Sequence, residues 1–156
     1  MKIVGWSTVA LVVAFVVMGP VYAQGRMSGT LHTAKQVTCT FPIFTRGTWD
    51  DNGVPKADVK ETPLTLSYDE IDTDGGTARF NGRYGDVPII ATASIWSLHF
   101  LQMGSEGTLR LTTVFDRESS PGKFRAVHTV HEFTPVGLPG FASRPEQHYG
   151  ECEVGR

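Results

Sequence analysis

No window of a dozen residues shows helical periodicity together with caps, so the chain is not built from amphipathic helices. There is no basic stripe either: 14 Lys and Arg stand against 16 Asp and Glu over 156 residues, which argues against a nucleic-acid partner. Cysteine is nearly absent, with two in all and no CxxC spacing of the kind used in redox or zinc chemistry. No Gly-x-Ser-x-Gly elbow surrounds Ser94, Ser97, Ser119 or Ser120, so nucleophilic catalysis has no local signature. Internal repeats and low-complexity tracts are missing as well. These absences leave a small globular domain rich in strands.

The one long apolar run is at the start. Lys2 precedes Val9–Met18, Gly19 and Pro20 break the run, and Val21-Tyr22-Ala23 places small residues where a signal peptidase cuts. The span is short against the ~20 residues that cross a bilayer. Residues 1–23 are therefore expected to be a cleaved signal peptide, followed by a single β domain over 24–156. That mature chain would have a net charge of −3, since Lys2 is lost from a total of −2. The expected location is periplasmic or secreted, with no membrane association after cleavage. Gln24–Thr33 reads as a loose arm.

Period-two alternation then recurs along the chain. It covers Lys35–Phe41, Leu64–Tyr68, Trp96–Leu101 and Leu109–Phe115, while Thr77–Arg83 carries Ala78 and Phe80 on one side, Lys123–Phe133 is β-rich and largely free of turn residues, and Gln147–Val154 is expected as the last strand. The fold class is all-β: a single small antiparallel barrel or closed sandwich of about eight strands. Leu64, Leu66, Phe80, Ile90, Trp96 and Leu98, with Phe100, Leu109, Leu111 and Phe115, are expected to form most of the core. Eight strands enclose room for side chains or for one small ligand. With Phe80, Trp96, Leu98, Phe100 and Phe115 inside, and Ala78 and Thr113 as the small inward residues, the interior is expected to be filled.

Two long loops are expected, Pro42–Pro63 with Trp49, and Thr134–Pro145 with Phe141. They are either binding loops or covers over a barrel mouth. In Asp69–Gly76, the residues Glu70, Asp72, Asp74 and Gly75 fall at calcium-loop positions. Asn81 stands where a bidentate Glu is needed, so the segment reads as a hairpin turn.

Cys39 and Cys152 lie near the two ends of an exported chain, which predicts a disulfide tying the first strand to the last. His128 and His131 are three apart. On a strand they point to opposite faces and cannot share one metal ion, while His148 can approach either. No metal site and no cofactor is expected. Convergence of His128, His148 and a carboxylate would instead favour an enzyme.

The segment Ala126-Val127-His128-Thr129-Val130-His131, the run Gln147-His148-Tyr149-Gly150-Glu151-Cys152 and the early Val37-Thr38-Cys39 resemble a group of small secreted bacterial proteins of uncharacterised function. The spacing from Phe80 to Leu101 agrees with it. The resemblance implies an exported β-protein with an N-to-C disulfide and brings no activity. A weaker likeness is to periplasmic lysozyme inhibitors, small β-barrels with a comparable disulfide, whose Ser-Gly and Tyr loop pattern this chain lacks. The expected function is a non-enzymatic binding module of the cell envelope, for a small ligand or an envelope protein. Its rim loops would carry Trp49 and Phe141, with His128, His131 and His148 as further candidates. The alternative is a structural or inhibitor-type protein without a pocket.

Overall fold

The computed structural model describes residues 29–82, 85–105, 107–132 and 144–155. The expected signal peptide, Phe141 and most of the Thr134–Pro145 loop lie outside these residues. Among them, α1 (Gly29–His32) is followed by β1 (Gln36–Trp49), β2 (Pro55–Asp72), β3 (Thr77–Gly82), β4 (Gly85–Ala93), β5 (Ser97–Met103), β6 (Leu109–Ser120), β7 (Lys123–Glu132) and β8 (Arg144–Gly155). Each strand pairs antiparallel with the next, and β8 closes on β1 to give one barrel. The barrel is thus all-β and eight-stranded, as the alternation predicts.

The closing seam carries the disulfide. Cys39 and Cys152 are direct cross-strand partners between β1 and β8, and their sulfurs are bonded. The bond joins positions 113 residues apart in the chain.

Just beyond it, β1 changes phase. Val37, Cys39 and Phe41 face inward, the register shifts around Pro42, and Phe44 is then the buried residue. Proline cannot donate to the ladder and is accommodated at such irregularities. The bulge needs a glycine opposite: a Cβ on Gly150 would collide with the Thr40 carbonyl oxygen. Its consequence is to place Phe44 and Arg46 against His148 and Glu146 of β8.

Pro42–Pro63 is not a loop. β1 continues to Trp49, Asp50 Oδ1 accepts from the Asn52 and Val54 amides to form the turn, and residues 55–64 of β2 pair with β1 alone as a projecting ribbon. Alternation fades there because both faces are wet. In the next hairpin Asp72 Oδ1 accepts from the amides of Asp74 and Gly75, and Gly76 takes φ 73°. The acidic cluster serves the turn.

One end of the barrel is sealed. Leu31 of α1 is fully buried, and Val37, Leu98, Val114 and Phe124 close around it with Ala34. Lys35 fastens this cap: its carbonyl accepts from the Ile71 amide, and its Nζ donates to the Ile71 carbonyl. The arm expected to be loose at Gln24–Thr33 is therefore structured from Gly29 onward.

The inward set differs from the expected core. Leu64, Leu66, Phe80, Leu98 and Phe100 do pack inside. Trp96, Phe115 and Ile90 do not; they are 64%, 40% and 52% exposed. Trp96 precedes β5 in a turn closed by the Ser94 amide on the Ser97 carbonyl, so its position carries no strand phase. On β6 both phases hold apolar residues, and the inward one is Arg110, Thr112 and Val114 rather than Leu109, Leu111 and Phe115. On β4 it is Ile89 and Ala91 rather than Ile90. Ala78 is inward as expected and Thr113 is not, and the small Ala91, Thr112 and Ala126 are buried in an interior that lacks the expected Trp96 and Phe115.

Candidate functional site

With those small residues inside, the barrel is not filled. A cavity of about 510 Å³ occupies the half away from α1 and opens between the strand ends. Its wall is divided. Leu64, Leu66, Phe80, Val87 and Ile89, on β2 to β4, form an apolar side. Gln102, Arg110, Thr112, His128, Glu146 and His148, on β5 to β8, form a polar one. Tyr68 and Phe100 also line it and bound it toward the sealed end. Their rings are stacked with centroids 4.0 Å apart and planes 3° from parallel.

The polar side is a hydrogen-bonded series. Tyr68 Oη lies 2.6 Å from Thr112 Oγ1, which lies 2.7 Å from His128 Nδ1. The arrangement that leaves no hydroxyl hydrogen without an acceptor runs one way. Tyr68 donates to Thr112, Thr112 donates to Nδ1, and the neutral imidazole keeps its proton on Nε2. Burial holds the phenol of Tyr68 above its ordinary range, so it stays a donor. Burial, with His148 and Arg110 adding to it, pushes His128 down to about 4.

His148 is the cross-strand partner of His128, with ring centroids 5.6 Å apart. It stacks on Phe44 at 4.9 Å, and its Nε2 lies 3.6 Å from Glu146 Oε2. Its Nδ1 is buried without a hydrogen-bond partner. Burial lowers its pKa against the opposing pull of Glu146, so this ring is neutral as well. Glu146 is itself held by Arg46, whose Nε donates at 2.7 Å, and the Arg46 guanidinium lies over Phe44.

Arg110 is placed differently. It lines the same cavity and is half-buried, yet makes no hydrogen bond or ion pair among the described residues. Gln102, its partner across β5 and β6, is likewise free in its side chain there.

The structure brings His128 and His148 together and leaves His131 exposed on the outer face. Trp49, at the ribbon tip, is 56% exposed and far along β1 from the cavity residues. Sequence reasoning did not reach Tyr68, Thr112, Arg110, Glu146 or Arg46. The available signal was polar residues inside strands in phase with known inward ones: Tyr68 follows Leu64 and Leu66 at period two. Among the described residues, no group of three His, Cys, Asp or Glu is placed to hold a metal ion. No family model, curated protein or solved structure matches this chain.

Proposed function

We propose that this is an exported, non-enzymatic binding protein whose site is the barrel cavity and whose ligand is a small molecule. The observation that carries the reading is the cavity itself: about 510 Å³, open at one end, with one apolar and one polar wall. Ligand sites are concave, mostly preformed, and combine an apolar lining with a few placed polar groups. The Cys39–Cys152 bond fits an oxidising compartment and therefore export. The reading therefore places the site in the interior rather than at the rim loops.

One observation favours a second reading, acid–base catalysis. His128, His148 and Glu146 converge on the polar wall. Against it, the Glu146 carboxylate is engaged by Arg46, and His128 at about 4 is a weak base at neutral pH. Binding is the better account.

The test uses the uncharged dye Nile red, read by fluorescence. Val130 lines the mouth and is half-buried, so Val130→Trp should block uptake while the fold survives. Trp49→Ala should leave uptake unchanged. Uptake lost in Trp49→Ala and kept in Val130→Trp would return the site to the rim.

A further inference from the structure

We infer that the natural ligand carries one carboxylate on an apolar body, and that Arg110 receives that carboxylate inside the barrel. The inference rests on the cavity reading and names the chemical class that cavity selects.

The charges on the polar wall do not balance. Arg46 and Glu146 neutralise each other in a direct ion pair. His128 and His148 are neutral, since burial disfavours their charged forms. Arg110 remains as a half-buried guanidinium facing the cavity with no acid on it. A guanidinium is always charged and presents a fork that matches a carboxylate. Removing such a cation from water is costly unless an anion meets it. A ligand anion meets that need where no acid among the described residues does.

The groups around Arg110 extend the same preference. Gln102 lies beside it across the ladder, with a free amide. The hydroxyl series from Tyr68 through Thr112 leaves the His128 proton on Nε2, so His128 also presents a donor. Among the described residues lining the cavity, the one carboxylate a cationic ligand would find is Glu146, whose charge Arg46 already neutralises.

The opposite wall specifies the rest of the molecule. Leu64, Leu66, Phe80, Val87 and Ile89 offer no hydrogen-bonding side chain. At about 510 Å³ the cavity is of the size that takes a small organic molecule. A medium-chain or compact aromatic acid fits such a site.

The experiment compares decanoate, 1-decanol and decylamine as displacers of Nile red, each below its aggregation limit, with protein carrying its disulfide. Decanoate should displace the dye about tenfold or more better than decanol, the size of one charge-assisted hydrogen bond, and decylamine should be weakest. In Arg110→Gln the advantage of decanoate should vanish while decanol is unchanged, and Arg110→Lys should restore part of it. Equal displacement by decanoate and decanol in the unaltered protein would overturn the proposal, whether or not the variants fold. So would an Arg110→Gln variant that folds and keeps the preference. Failure of Nile red to enter at all would instead overturn the cavity reading beneath it.

Discussion

The two ends of this barrel use one alternation of side chains for opposite purposes. At the α1 end the inward positions hold Val37, Leu98, Val114 and Phe124, and Leu31 plugs the remaining space. At the other end, the same strands present Leu64, Val87, Gln102, Arg110, Val130 and Glu146 around an opening. No change of topology separates them. The difference lies in the helical cap on one side and, on the other, in charged and amide side chains that cannot close without a partner. The most tightly packed apolar residues lie at the sealed end, and the proposed recognition at the open one. An eight-stranded barrel can be filled or can hold one small ligand; this one is filled in one half and leaves a cavity in the other.

The disulfide should give the largest effect, because it locks the seam between β1 and β8. For a closed loop of 113 residues, the chain-entropy model gives about 4–5 kcal/mol at its upper end. Cys39→Ala with Cys152→Ala should lower the urea midpoint accordingly. An unchanged midpoint would mean that the seam is held by its ladder alone.

A pair of phenylalanines then compares the two ends directly. Phe124 is 3% exposed in the sealed cluster, and Phe124→Ala should cost about 3–5 kcal/mol. Phe80 is half-buried and borders the cavity, so Phe80→Ala removes less packing and should cost about 1–2 kcal/mol. Chemical denaturation of both variants measures the difference. Equal costs would show that the cavity half is packed as tightly as the sealed half.

Strand content and the pairing of first strand with last were legible in the sequence, because alternation is a local signal and the chain has just two cysteines to pair. The interior was not, because a period of two carries no absolute phase. On β6, Leu109, Leu111 and Phe115 outweigh Thr112 and Val114 in hydrophobicity, yet face out; Arg110, the central residue of the proposed site, is inward with the smaller set. Phase is fixed by neighbours in space: Leu98 pairs with Val114, and Phe100 with Thr112. The Pro42 bulge was equally invisible in effect, since it brings Phe44 and Arg46 to the cavity side by a slip in register. His128 was singled out, but Thr112 and Tyr68, which set its proton, come from strands 16 and 60 positions earlier, and no spacing rule reaches across a barrel.

The remaining effect separates the ends by pH. In the folded protein His128 titrates at about 4, against an ordinary value of 6.5. Folding therefore favours the neutral ring. Above about 6.5 neither state holds the proton and the contribution is fully present. As pH falls from 6.5 toward 4 the unfolded chain binds a proton that the folded one refuses, and stability declines, by about 3 kcal/mol for a shift of this size. The groups facing His128 explain why the proton is refused. Thr112 occupies Nδ1, Tyr68 stands behind Thr112 as a neutral phenol, and Arg110 and His148 lie near on either side. Glu146 is drawn toward Arg46 and His148. His148 shifts in the same direction and steepens the slope. His128→Gln should flatten the fall in unfolding free energy between pH 6.5 and 4, leaving the smaller part due to His148, whereas Phe124→Ala should lower the whole curve without changing its slope in that window. If His128→Gln keeps the full slope, the acid sensitivity lies elsewhere and the neutral polar wall, on which the selection of an anion by Arg110 depends, has to be redrawn.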